Sequence, residues 1–156
     1  MTIVEACESK TNTTPEFPMG WYSVARSSEL LVGEVKSVQA FDRELVLYRT
    51  RSGVPVIQDA YCPHLGAHLG VKGRVVGESI RCPFHGWRYG TDGMCEHIPY
   101  SDEIPERARL RTWHCEEKNG EVYIWFHREN TGPQWELPSL PELGHPDWTS
   151  PRYTEF

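Results

Sequence analysis

At 156 residues the chain has the length of about one domain, enough to bury a core without covalent staples and too little for a second catalytic domain. The formal charge of −6, with no Lys/Arg cluster, argues against a nucleic-acid surface, which needs concentrated positive charge. No apolar run reaches the roughly 18 to 20 residues of a spanning helix, and MTIVEACESK has no secretion-signal plan, so the expected location is the cytoplasm.

In chain order, residues 1–16 read as a flexible tail, since too little there is apolar to offset the entropy of ordering it. Strands are expected at Trp21–Ala25, at Val35–Phe41, where apolar and polar residues alternate, and at Glu44–Arg49. After a turn at Arg51-Ser52-Gly53 comes Val54–Gln58, whose Pro55 suggests a sheet edge. Beyond residue 89, Thr91-Asp92-Gly93 is a turn and Ile104-Pro105-Glu106 sits in a polar loop. Leu110–Glu116 and Glu121–Phe126 flank Lys118-Asn119-Gly120, the strongest hairpin signal, because Asn-Gly accepts positive φ. No helix is predicted. From Thr131 onward, prolines at 133, 138, 141, 146 and 151 mark an extended linker rather than packed core. The class is all-β, with an antiparallel meander, and the units are 1–16, 17–130 and 131–156.

Within the middle unit, residues 61–69 and 81–90 are two loops of one plan. Cys62-Pro63-His64-Leu65-Gly66 and Cys82-Pro83-Phe84-His85-Gly86 each offer a thiolate, an imidazole, a stiffening proline and a glycine. Five cysteines, an odd number without an export signal, make metal ligation a better reading than a disulfide framework. Cys62, His64, Cys82 and His85 are the candidate ligands. They could close on one structural zinc, in an interaction domain without reactivity. Zinc sites commonly pair C-x(2–4)-C with H-x(3–5)-H, however, whereas here C-x-H and C-x-x-H stand 17 residues apart and mix the two ligand types. A Rieske [2Fe–2S] cluster asks for that mixture, since one of its irons takes two His in place of two Cys. Fewer thiolates mean less negative charge, easier reduction and a poised one-electron carrier.

CPHLGAHL and CPFHGWRY, followed by Gly93-Met94-Cys95 and Ile98-Pro99-Tyr100, resemble the Rieske domain of the mononuclear non-haem iron oxygenases. The resemblance is narrower to the steroid branch of 3-ketosteroid 9α-hydroxylase oxygenases and cholesterol 7-desaturases, and it covers residues 17–156. It implies an antiparallel β-sandwich with a small cluster-binding subdomain. It implies one [2Fe–2S] cluster per chain, with Cys62 and Cys82 on the inner iron and His64 and His85 on the outer one. A reductase or ferredoxin would be the donor and a mononuclear iron domain the acceptor, acting on a steroid-like or aromatic substrate; the oligomeric state is left open. The respiratory Rieske proteins carry cysteines and a serine at the positions of Ala67, Phe84 and Trp87, so no disulfide and a lower potential are expected here, with Tyr89 as the remaining phenolic donor. His114, His127 and His145 belong to no mononuclear-iron pattern, so no complete oxygenase site is expected, and the chain reads as a portion of an oxygenase or as a free ferredoxin.

The remaining candidates carry plainer readings. His68 is a loop residue beside the cluster, and Cys95 and Cys115 are small hydrophobes on strands. Cys7 lies in the tail. Trp87 is either a shield for the cluster or a core aromatic, while Trp21, Trp113 and Trp125 read as core. Arg81 and Arg88 flank the second loop, where they could meet a partner's carboxylates or stay solvated.

Overall fold

The computed structural model describes residues 17–143 and 145–149; the expected tail at 1–16, with Cys7, lies outside these described residues. Eleven short strands run as β1 (Gly20–Arg26), β2 (Val35–Ala40), β3 (Arg43–Arg49), β4 (Pro55–Asp59), β5 (Arg74–Val76), β6 (Ser79–Arg81), β7 (Arg88–Tyr89), β8 (Cys95–His97), β9 (Thr112–Trp113), β10 (Cys115–Lys118) and β11 (Glu121–Phe126). They form three antiparallel sheets in the orders β1-β11-β10, β2-β3-β4-β9 and β5-β6-β7-β8. The one helical element among the described residues is a 3₁₀ turn at Ser27–Glu29.

The sheet β2-β3-β4-β9 is the middle layer, and β3 shows why. Leu45 and Leu47 enter one core with Ile57, Trp113, Val122 and Ile124, against the β1-β11-β10 sheet. Val46 and Tyr48, pointing the opposite way at the strand's period of two, enter a second core with Leu69, Ile80, Tyr89 and both Cys62 and Cys82. The unbroken apolar run of β3 therefore records burial on both faces. The second core is the floor on which the two cysteine loops stand. Across the sandwich, the buried Arg49 guanidinium donates to both oxygens of Glu117 at 2.7 Å and to the Leu30 and Gly53 carbonyls, also at 2.7 Å. This bidentate pair holds the Glu117 carboxyl below its ordinary value and fastens β3 to β10.

Several strand expectations need correction. Pro55 opens an interior strand, because β4 lies between β3 and β9; as the first residue of the strand, proline is tolerated there. Leu110–Glu116 is broken in two, since β9 pairs with β4 while β10 pairs with β11, and the chain changes sheets at His114. The β2 strand stops at Ala40. Phe41 and Asp42 both take φ of 56°, so they form the hairpin turn to β3 without the Asn-Gly signature. Asn119 (φ 55°) and Gly120 (φ 80°) turn β10 into β11 as the sequence indicates.

The proline-rich stretch is extended and also packed. Trp135 sets its ring against Trp125, with centroids 4.7 Å apart, and its carbonyl accepts from Trp21 Nε1 at 3.0 Å. Lys118 Nζ donates to the Leu137 carbonyl at 2.5 Å, and Asn119 Nδ2 donates to the Pro138 carbonyl at 2.9 Å. Trp21, expected in the core, is half-buried under this stretch, whereas Trp113 and Trp125 are buried.

Candidate metal centre

Both loops close the same backbone ring. The Cys62 N–H donates to the Ala67 carbonyl at 2.9 Å and the Gly66 N–H to the Cys62 carbonyl at 2.8 Å. In the second loop the Cys82 N–H donates to the Trp87 carbonyl at 2.8 Å and the Gly86 N–H to the Cys82 carbonyl at 3.2 Å. Gly66 (φ 70°) and Gly86 (φ 76°) occupy the left-handed region that each ring requires.

The two rings bring like donors together. The Cys62 and Cys82 thiols, both buried in the second core, meet in a hydrogen bond. The His64 and His85 rings meet with centroids 4.7 Å apart, and both histidines are partly exposed. Thus the sulfurs lie inward and the imidazoles outward. The buried Nδ1 of His64 finds no hydrogen-bond partner, and neither does that of His68. Among the described residues no group of three or more His, Cys, Asp or Glu side chains is gathered as a single-ion site.

Donors are aimed at the sulfurs. The Cys62 sulfur accepts from the backbone N–H of His64, and the Cys82 sulfur from those of Phe84 and His85. The hydrogen bond from the Cys62 thiol, joined by these N–H groups, draws the Cys82 thiol down to about 5 despite burial. The same hydrogen bond, with burial, holds the Cys62 proton well above its ordinary value. Tyr89 OH lies 3.1 Å from Cys62 Sγ. Burial pushes the phenol's pKa up, so it keeps its proton and is the donor in this contact when Cys62 is a thiolate.

Trp87 is a core aromatic that also touches the candidate ligand His64. Its indole is buried, and it stacks on the His64 ring at 4.4 Å and 7°, with Nε1 donating to Tyr100 OH at 2.7 Å. His68 stays out of the donor group. It pairs with Tyr61 across an isolated bridge, beside Glu44 at 3.7 Å, and Glu44 also accepts from Tyr61 OH. Cys62, Cys82, Cys95 and Cys115 are free thiols; Cys95 is buried on β8 and Cys115 half-buried on β10. His114 lies apart, beside Gly132 and the proline-rich stretch.

The family model of the Rieske [2Fe-2S] domain matches residues 20–113, which include both loops. The chain belongs to the Rieske [2Fe–2S] domain family. Its cofactor is therefore a [2Fe–2S] cluster, and the zinc alternative falls. The chain is 43% identical over 129 residues to "Cholesterol 7-desaturase nvd 1" of Ciona intestinalis, covering 83% of this chain and 27% of that protein. It is 40% identical over 154 residues to "Cholesterol 7-desaturase nvd" of Xenopus laevis, covering 98% and 34%. The oxygenase component of 3-ketosteroid-9-alpha-monooxygenase of Rhodococcus rhodochrous is 37% identical over 135 residues, covering 85% and 35%. The chain thus spans about a third of the length of these relatives. Among solved structures, dicamba monooxygenase with non-heme iron and dicamba superposes with a TM-score of 0.67 at 26% identity, covering 80% of this chain and 38% of that one. NdmA of Pseudomonas putida CBB5 with caffeine does so with 0.67 at 28%, covering 81% and 38%. The chain's Rieske domain is thus similar to those of these desaturases and oxygenases. No helix among the described residues is long and apolar enough to cross a membrane.

Proposed function

We propose that Cys62 and Cys82 hold one iron of the cluster and His64 and His85 the other. We propose further that the unit at residues 17–130 relays single electrons from a reductase or ferredoxin to a mononuclear non-haem iron centre that these residues do not form. The observation that carries this is the pairing across the loops, thiol with thiol on the inside and imidazole with imidazole on the outside. A bound cluster supplies a site that takes up and gives back one electron. Around it, the N–H groups of His64, Phe84 and His85 and the phenol of Tyr89 offset negative charge on sulfur, which favours the reduced state. Trp87 covers one face of His64 against water, and the partly exposed imidazoles form the port for electrons.

The desaturase and steroid monooxygenase relatives support a steroid-like substrate for the iron centre served. A second reading, a free-standing Rieske ferredoxin, is favoured by one observation: residues 135–138 pack on the sandwich rather than leading away from it. Protein loaded with iron and sulfide should hold iron and acid-labile sulfide in equal amounts. Zinc without sulfide would sink the relay. His64→Cys or His85→Cys should each lower the reduction potential, because each adds a negative thiolate; spectra and potential unchanged in both would remove the two histidines from the ligand set.

A further inference from the structure

The small sheet that carries the second loop has an inner row and an outer row. Val75, Ile80, Tyr89 and Cys95 are cross-strand neighbours from β5 to β8, and all four are buried in the second core. The alternate register places Arg74 opposite Arg81, Arg81 opposite Arg88, and Arg88 opposite His97, on the outward face. Three arginines directly opposite one another repel, which costs stability unless something negative offsets it. Among the described residues no ion pair joins Arg74, Arg81, Arg88 or the neighbouring Lys72 to a carboxylate. This uncompensated row sits on a chain whose formal charge is −6, so the positive charge is concentrated against the overall balance.

The row opens onto the loop. Lys72, Arg74 and Arg81 line a groove of about 510 Å³ whose other wall is Phe84, His85 and Tyr100. Arg81 lies over the loop itself, so close that a Cβ on Gly86 would stand 3.2 Å from its Nε. Leu65 and Phe84, at the two loop tips, are 64% and 65% exposed, an apolar pair beside the imidazoles.

We propose that this cationic groove is the docking surface for the acidic face of an electron-donor protein, with its carboxylates on Lys72, Arg74 and Arg81 and its apolar contact on Phe84. The inference rests on the relay reading and names the face through which it is served. Charge complementarity selects the occupant. A few opposed charges suffice to steer and orient a protein, whereas the chain's net negative charge opposes a long polyanion. Docking here also sets the donor against His85, so that orientation and electron path coincide.

The test uses the full chain loaded with its cluster, and as probe a reduced, acidic plant-type ferredoxin, with the second-order reduction rate followed by stopped flow against ionic strength. The wild-type rate should fall as salt rises. The Arg74→Glu/Arg81→Glu variant should lose at least about tenfold at low salt and invert the salt dependence. The neutralising variant Lys72→Gln/Arg74→Gln, which leaves the residue next to Cys82 in place, should lose severalfold and flatten it. A small neutral photoreductant, applied to every variant, reports whether the cluster still accepts electrons. If that reagent reduces all proteins alike and the ferredoxin rates ignore both charge changes, the docking surface is refuted. It is refuted equally if the variants lose only binding to DNA or anionic vesicles. If the wild type holds no cluster, the relay reading falls first and takes this inference with it.

Discussion

Residues 62–67 and 82–87 close the same hydrogen-bonded ring, yet a Cβ placed on Gly66 would meet nothing within 4 Å, while one on Gly86 would stand 3.0 Å from Pro99 Cγ. The first loop is thus a tip facing solvent, and the second is wedged between the small sheet and the 98–100 segment. The second loop also lends its own residues to the first. Trp87 covers His64, and Tyr89, just beyond it, reaches Cys62. Identical local backbones teach little about function until their surroundings are added, because the ring sets where the donors sit and the neighbours set how they behave.

The largest expected break in this comparison is steric. Gly66→Ala should cost about 1 kcal/mol of stability for the left-handed backbone alone. Gly86→Ala should cost roughly twice that, since crowding against Pro99 and Arg81 adds to the same backbone term. Thermal unfolding of the two variants, with cluster content read by absorbance, checks the difference; equal losses would mean the second loop is no more confined than the first.

A smaller effect is electronic. Tyr89→Phe removes the one phenol against Cys62 and leaves the N–H donors in place. The reduced cluster should be destabilised by roughly 1 kcal/mol. The corresponding drop in reduction potential, by a few tens of millivolts, is measurable in a titration followed by EPR. No drop would mean that the phenol serves packing alone.

The smallest effect concerns the stack. Trp87→Phe keeps an aromatic face on His64 and loses the bond to Tyr100, so a change worth about 0.5 kcal/mol is expected. EPR linewidths should broaden as the His64 ring gains freedom. Tyr100→Phe should reproduce part of the change, because it frees the indole without touching the stack; an unaltered spectrum in both would make Trp87 a plain filler.

The two loops were legible in the chain, because a cysteine, a proline, a histidine and a glycine within five residues, given twice, leave few chemical uses. Tyr89 entered through the family resemblance, as the phenolic donor that remains where Trp87 stands in place of a serine. Other features were hidden. The Phe41-Asp42 turn lacks the residues that usually announce positive φ, and its conformation follows from the pairing of β2 with β3. Nothing in Arg49 or Glu117, 68 positions apart, marks them as a buried bidentate pair. The break at His114 likewise depends on two different sheets competing for one apolar segment.

What the amino-acid sequence determined by itself was local: the all-β class, the two matching loops, and the hairpin at Asn119-Gly120, each set by side-chain chemistry and backbone preference over a few residues. Two matters were decided by tertiary structure alone. They are the packing of the proline-rich stretch on Trp125 and the outward row of Arg74, Arg81 and Arg88. Each depends on register or packing between segments distant along the chain, and a row of charges exists only once strands have chosen their neighbours.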